Sequence, residues 1–327
     1  MATIKDVAEE AGLAVSTVSR VLNNRGYISD AARKKVNDAM AKLNYQPNEL
    51  ARSLHRKNTN MMGVIVPHIR HPYFAEVISN IEYYAYKKGY KVLLYNTRGA
   101  SDREMECVEM CRSNRVDGII MCTGGIALEG FHSLGLPVIS FERNTDVSDA
   151  SIECDNTQGG RMAGELLLKK GCKHILHIGD MSHDYTMPGD TRGQGLHEVC
   201  HQAGVECINI IVDRKSYTTM QYHDVIEQAL TEHPEVDGIF ANSDIIAAQI
   251  LQVCRKLQID VPGQVKVIGF DDVQISSLTA PQLTTIHQPI EEMAEIAVQM
   301  FDNVVNDKAV PKRTVLPVKL IERESTL

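Results

Sequence analysis

The sequence predicts an α/β chain: a small helical head, then a body of two similar lobes built on parallel sheets. Three observations predict it. Residues 1–47 carry only helical periodicity. From Met61 onward, apolar strand runs alternate with helical stretches. Val116-Asp-Gly-Ile-Ile then returns as Val236-Asp-Gly-Ile-Phe, 120 residues later. A length of 327 residues is enough for two or three domains at roughly 100–200 residues each.

In the head, Thr3-Ile-Lys-Asp6 is a capping-box pattern ahead of Val7-Ala8. Gly12 ends this first helix, and a second runs over Val15–Asn23. Ser29 or Asp30 caps a third, whose Val36, Met40 and Leu43 form one stripe. The spacing Ala8-x3-Gly12-x5-Val18 fits a helix-turn-helix. The small residue lets the second helix approach, glycine supplies the turn, and the β-branched residue packs between the helices. Three short helices that merely pack together satisfy the same spacing, so charge is the second witness. The chain has 34 Lys+Arg and 42 Asp+Glu; residues 1–57 hold 10 and 6 of these, leaving 24 and 36 for the rest. A basic head on an acidic body points to nucleic-acid binding by the head alone.

Past Pro47, Asn48 can cap a short helix with Leu50, Ala51 and Leu54 on one face. Such a helix is too short to stand alone in water and needs a partner, either DNA or a second copy of itself. The polar run Lys57–Asn60 is a linker. The expected division is therefore 1–47, 48–60 and 61–327.

Strands are expected over Met62–Pro67, Lys91–Tyr95, Val116–Cys122 and Pro137–Phe141 in the first half of the body. Those of the second half are His174–Ile178, Cys207–Val212, Val236–Ala241 and Lys266–Phe270, with Val315–Ile321 last. Helices fill the intervals, for example Tyr73–Lys88, Gln158–Lys170 and Asp244–Leu257. Alternation of this kind builds parallel sheets covered on both faces. The expected lobes are about 61–158 plus 289–312, and about 159–288 plus 313–327. Ligands of such sheets sit at the carboxyl ends of the strands, so facing lobes would hold one in their cleft.

Other classes are excluded. The longest apolar runs, such as Gly118–Cys122, fall far short of the roughly 20 residues that span a bilayer. The N-terminus has no apolar signal core. Eight scattered cysteines without a CxxC read as reduced thiols of a cytosolic protein. There is no P-loop, complete GxGxxG or GxSxG elbow, so no enzyme and no cofactor are expected. His174 and His177 are an odd number apart on a strand and face opposite ways, which argues against a metal site. Cys107 and Cys111 share a helix face, but no second pair completes a zinc site.

The whole chain resembles the LacI/GalR family of bacterial transcription regulators. The resemblance rests on Ile4-Lys-Asp-Val-Ala8, Thr17-Val-Ser-Arg-Val-Leu-Asn23, Tyr45-Gln-Pro-Asn48 and Ala51-Arg-Ser-Leu54. In the body it rests on Gly63-Val-Ile-Val-Pro67, Pro72-Tyr-Phe74, Val116–Ile120, Val267-Ile-Gly-Phe-Asp-Asp272 and Leu283-Thr-Thr-Ile-His-Gln-Pro289. It implies a helix-turn-helix head, a hinge helix and a two-lobed periplasmic-binding-protein-like body. It implies a cytoplasmic, nucleoid-associated homodimer on a near-palindromic double-stranded operator, with a small effector in the cleft. The chain shows no C-terminal leucine heptad of the kind that makes some members tetramers. Within the family, Pro137-Val-Ile-Ser-Phe-Glu-Arg-Asn144 and the hinge region resemble sucrose-operon repressors of Gram-positive bacteria.

By that resemblance Val15, Ser16 and Arg20 read bases. Arg20 can donate two hydrogen bonds to guanine, and Val15 can meet a thymine methyl. Thr17, Ser19 and Asn23 would contact phosphates and set register. Leu54 matches the minor-groove wedge, Ala51 lets two hinge helices approach, and His55 stands where relatives carry lysine or a small residue. The effector candidates are His71, Tyr73 and Phe74, then Glu142, Arg192 and Tyr217, and finally Asn242, Ser243 and Asp271. Carboxylates that accept from adjacent hydroxyls, with an arginine that donates, suit a sugar, and no phosphate cluster accompanies them. Asp180–Pro188, with His183, Tyr185 and Met187, is a further candidate for specificity. Two alternatives stay open. One is a cytosolic sugar-binding module whose residues 1–57 are incidental. The other is a corepressor-dependent regulator that answers to a partner protein or a purine-like ligand.

Overall fold

The computed structural model describes residues 2–23, 26–46, 58–123, 135–143, 148–179 and 188–327. The chain forms two compact units, Met1–Thr59 and Asn60–Leu327. The expected hinge helix, with Ala51, Leu54 and His55, lies outside the described residues, as does the segment from Asp180 to Met187.

The first unit contains α1 (Ile4–Ala11), α2 (Val15–Asn23) and α3 (Asp30–Lys42). Thr3 and Asp6 close a reciprocal capping box, with the Thr3 amide donating to Asp6 over 2.7 Å. Gly12 takes the left-handed conformation at φ 64°, and its N–H returns to the carbonyls of Ala8 and Glu9. Ser29 caps α3 by accepting from the Ala32 amide. Val7, Ala8, Ala11, Val18, Val21, Val36 and Ala39 form the core. Val18 is fully buried, worth roughly 1.5–3 kcal/mol of transfer free energy.

Among the described residues, the second unit holds two six-stranded sheets. The first contains β1 (Met61–Val66), β2 (Lys91–Asn96), β3 (Gly118–Met121), β4 (Val138–Phe141), β5 (Ala150–Cys154) and β11 (Arg313–Leu316). Its order is β11-β5-β4-β3-β1-β2, all parallel. The second contains β6 (His174–Gly179), β7 (Glu206–Ile211), β8 (Gly238–Ala241), β9 (Lys266–Asp271), β10 (Thr284–His287) and β12 (Lys319–Ile321). Its order is β12-β10-β9-β8-β6-β7, with only β12 antiparallel. Helices α4 (Pro72–Lys87), α5 (Ser101–Ser113) and α12 (Ile290–Val305) serve the first sheet. Helices α6 (Asn156–Lys169), α7 (Thr191–Ala203), α9 (His223–Glu232) and α10 (Asp244–Lys256) serve the second, joined by short α8 (Arg214–Thr219) and α11 (Ile275–Leu278). The central strands β1, β3, β4, β6, β8 and β9 are buried on both faces, which is why they read as near-continuous apolar runs. On β1, Met62, Val64 and Val66 face Val77, Ile81 and Phe301, while Ile65 faces Val108 and Cys111.

The internal echo has a structural cause. Asp117 accepts the amide of Asn60 at the start of β1 over 2.7 Å. Asp237 does the same for Lys173 and His174 at the start of β6, over 2.8 and 2.9 Å. A Cβ added at Gly118 would lie 2.8 Å from the Pro137 carbonyl, and one at Gly238 would lie 3.0 Å from Cys172 Sγ. Aspartate staples the neighbouring strand and glycine lets the next one close in.

Among the described residues the chain crosses between lobes three times, and here the structure corrects the sequence reading. Val315–Ile321 is not one strand. Pro317, which has no N–H for a ladder, separates β11 in the first sheet from β12 in the second. The expected boundary at residue 313 therefore moves past Leu316. The other crossings fall between β5 and α6 and between β10 and α12. Neither β5 nor β10 was anticipated. Both are buried but polar, and Thr284 and Thr285 bond with Thr326 and Asp244 respectively.

Candidate functional site

In the first unit, α2 buries Val18 and Val21 and turns Val15, Ser16 and Arg20 outward. These three share an exposed face of the helix. Thr17 and Ser19 are half-buried. The Asn23 carboxamide donates to the Ser19 carbonyl over 2.8 Å, so Ser19 and Asn23 are tied to each other. Tyr27, almost fully exposed between α2 and α3, was not anticipated.

In the second unit, polar side chains gather where the strands end. His68, Thr97, Thr123 and Glu142 follow β1 to β4; Asn242, Ser243 and Gln288 follow β8 and β10, and Asp271 closes β9. Arg192 enters from the first turn of α7. Its position follows from α6 and α7 touching backbone to backbone. A Cβ at Gly160 would lie 1.8 Å from the Arg192 carbonyl, and one at Gly195 would lie 2.0 Å from the Thr157 carbonyl. Nothing larger than glycine fits either place.

The guanidinium of Arg192 is the hub. Its Nε donates to Asn156 Oδ1 over 2.7 Å and its Nη1 to the Asn242 carbonyl over 2.6 Å. Its Cζ lies over the Phe270 ring, 3.7 Å from the centroid. Glu142 and Asp271 stand 3.9 Å from it on either side. Glu142 is itself held by the amide of Cys154 and the carboxamide of Asn156, and Asp271 by Gln288 over 2.7 Å. Glu142 sits at φ 51° and Asp271 at φ 119°, conformations that cost of order 1–3 kcal/mol each and concentrate at ligand sites.

Tyr73, Phe74 and His71 form an aromatic wall at the start of α4, with ring centroids 5.0 and 5.6 Å apart. His71 caps α4 by accepting the Tyr73 amide. Burial, with His68 and Arg192 close by, pulls His71 down to about 3, so it is neutral. Burial also raises the Tyr73 phenol, which keeps its proton. Tyr217 on α8 meets His68 edge-on at 5.4 Å and so joins the two lobes. Among the described residues, His68 Nε2, Tyr73 OH, Thr97 Oγ1, Thr123 Oγ1, Ser243 Oγ and Gln288 Oε1 are buried without a hydrogen-bond partner. Such groups cost free energy unless something else bonds them.

The structure thus brings His71, Tyr73, Glu142, Asn242 and Asp271 together around Arg192, with Phe74 against Tyr73, Ser243 next in chain to Asn242, and Tyr217 against His68. Sequence reasoning missed Asn156, Phe270, Gln288, His68 and His177. Gln288 and Phe270 lie within motifs already read, and His68 follows a strand directly. Asn156 follows β5, a strand that was not recognised.

The residues match two family models: bacterial regulatory proteins of the lacI family over residues 3–48, and the periplasmic binding protein-like domain over residues 165–326. A ribose operon repressor of Halalkalibacterium halodurans is 33% identical, with 100% of this chain and 97% of that protein covered. A sucrose operon repressor of Streptococcus mutans serotype c is 34% identical, with 99% of each covered. This chain belongs to the lacI family of bacterial regulatory proteins. It is a DNA-binding transcriptional regulator and not an enzyme. Among solved structures, a LacI-type regulator of Alkaliphilus metalliredigens QYMF complexed with D-xylulofuranose is 31% identical at a TM-score of 0.73. It covers 82% of this chain and 99% of its own. The lac repressor dimer bound to operator and an anti-inducer, 24% identical with TM-score 0.86, shares the fold over 100% of this chain and 99% of its own. In this regulator, no described helix is long and apolar enough to cross a membrane.

Proposed function

We propose that this regulator represses a carbohydrate-utilisation operon and that a neutral sugar in the interlobe cleft controls it. The observation that carries the reading is the Arg192 hub. One guanidinium is flanked by two carboxylates at 3.9 Å, beside an aromatic wall and idle buried hydroxyls. Carboxylates grip adjacent sugar hydroxyls, and aromatic rings cover an apolar sugar face. The formal charge of the hub is −1, which opposes a phosphate. Relatives named as ribose and sucrose operon repressors, and a structural neighbour holding D-xylulofuranose, support the same class.

On the DNA side, Val15, Ser16 and Arg20 read bases of a near-palindromic operator in a homodimer, and Thr17 contacts phosphate. Ser19 and Asn23 set register as a bonded pair. Leu54 wedges into the minor groove between half-sites, Ala51 lets two hinge helices approach, and His55 stands beside the groove. The protein acts at the bacterial nucleoid. Operator and sugar favour different lobe arrangements, so each changes the other's affinity by one coupling factor, typically about 5–150-fold.

The test is selection from a pool of palindromic duplexes at several salt concentrations, with and without sugars. Selective, salt-sensitive binding that a sugar shifts is expected. Arg20→Ala should cost about 1–3 kcal/mol and relax preference at one base position. An unselective wild-type protein, or one deaf to every sugar, would count against the reading.

A further inference from the structure

Behind Asn242 lies a buried histidine that the hub does not touch. His177 on β6 is 3% exposed. The sheet register sets it beside Asn209 of β7 and Phe240 of β8. Its Nδ1 is 2.7 Å from Asn209 Oδ1 and its Nε2 is 2.8 Å from Asn242 Oδ1. The ring is held in place. It stacks on Phe240 at 5.6 Å and 18°, and a Cβ at Gly193 would lie 2.5 Å from its Cε1.

A neutral imidazole has one N–H and one lone pair. Burial disfavours the charged ring here. Two carboxamides cannot both turn oxygens to a ring with a single proton, so one must turn its amino group. A proton on Nε2 draws the Asn242 oxygen inward and sends its amino group outward. A proton on Nδ1 reverses this. Asn209 is exposed, and water satisfies whichever end it turns away. Asn242 is 2% exposed at the mouth of β8, where its carbonyl already holds Arg192. Its orientation is the consequential one.

We propose that His177 is a positioning residue that fixes effector specificity: its Nε2–H locks the Asn242 carboxamide so that N–H donors face the effector. The proposal rests on the sugar reading of the cleft. A site that donates to a sugar oxygen rejects an analogue lacking it, because the donor would be left buried and unpaired. His177 thus sets the sign of a hydrogen bond it never makes.

Two measurements test it. The first needs no ligand: two-bond ¹⁵N–¹H correlation on the full-length protein labelled at histidine. The Nε2–H tautomer is expected for His177 near neutral pH, and an Nδ1–H tautomer or an imidazolium overturns the proposal. The second is calorimetry with D-ribose, D-xylulose, sucrose, cellobiose and lactose. His177→Phe keeps the ring on Phe240 and loses the donor; about 10–100-fold weaker binding of the sugar the wild type takes is expected. His177→Gln restores an N–H and should recover part of the loss. Wild-type affinity in His177→Phe overturns the proposal, as does failure of His177→Gln to improve on it when both fold. A wild type that binds none of the panel sinks the sugar reading, and the tautomer still decides the His177 arrangement.

Discussion

The two lobes meet the cleft in opposite states. The second lobe arrives with its polar groups committed: Arg192 to Asn156 and Asn242, Asp271 to Gln288, His177 to two asparagines. The first lobe arrives unspent, with His68, Tyr73, Thr97 and Thr123 holding buried polar atoms that nothing among the described residues bonds. Glu142, held by Cys154 and Asn156, is the first lobe's exception, and Ser243 and Gln288 are the second lobe's. The difference teaches a division of labour. On the proposed sugar reading, a prebuilt face fixes what binds, and an incomplete face is completed by what binds, which would tie occupancy to how the lobes close.

The largest break in that comparison is Arg192→Met. It leaves Glu142 and Asp271 buried without their shared cation and frees the Asn242 carbonyl and Asn156. Removing one partner of a buried pair costs about 3–5 kcal/mol. Calorimetry should show sugar binding lost by at least about 100-fold, and the melting temperature should fall as well. Arg192→Lys should fail too, because an ammonium cannot stack on Phe270 while spanning two acceptors. Sugar binding lost with unchanged stability would mean that the second lobe is not prebuilt.

The same asymmetry decided what the sequence revealed. Arg192, Asp271 and Glu142 were reached through the family resemblance, whose motifs are local: each residue ends an apolar strand or opens a glycine-rich helix. The head was readable for a similar reason: its caps, turn and core are local in sequence. The crossings were not. In β5 Glu153 pairs with Arg313, and in β10 Thr284 and Thr285 bond with Ser325 and Asp244; these partners lie far off in sequence, so the polar residues gave no strand signal. His177 was set aside as a metal ligand because its neighbour His174 faces the other way. That reading of the faces holds, since His174 is exposed and His177 buried. Its bonds to Asn209 and Asn242 depend on register between strands 32 and 65 residues away, which periodicity cannot show.

A smaller effect separates how each lobe neutralises a buried acid. In the first lobe, Glu104 has Arg143 at 3.9 Å, both almost fully buried. In the second, Asp244 is bonded by the neutral donors Thr285 and Val273, over 2.6 and 2.9 Å. Burial there pushes Asp244 up to about 7 from an ordinary value of 3.8. The folded state therefore holds the proton more tightly than the unfolded chain does. The stability this contributes is complete below pH 3.8 and is lost as pH rises through about 7. Urea titrations between these limits should show a declining component on the order of 1 kcal/mol per pH unit, which Asp244→Asn flattens. An unchanged slope in the variant would assign the decline to other groups.

The finest test addresses the first lobe's idle groups. Tyr73 is buried, its hydroxyl bonds nothing among the described residues, and its ring sits near Glu142, Asp271 and Arg192. In the empty protein that hydroxyl is a liability, since an unsatisfied buried polar group costs about 1–3 kcal/mol. Tyr73→Phe keeps the ring and removes the liability. Its unfolding free energy should hold steady or rise by about 1 kcal/mol, while sugar affinity falls by about 0.5–1.5 kcal/mol, roughly 2–10-fold. Stability and affinity would then move in opposite directions at Tyr73 and together at Arg192. If Tyr73→Phe loses both, the hydroxyl is already bonded in the free protein, and the first lobe is as prebuilt as the second. If it loses neither, the hydroxyl faces no ligand, and the first lobe's grip on the sugar falls to Glu142 with His68, Thr97 and Thr123.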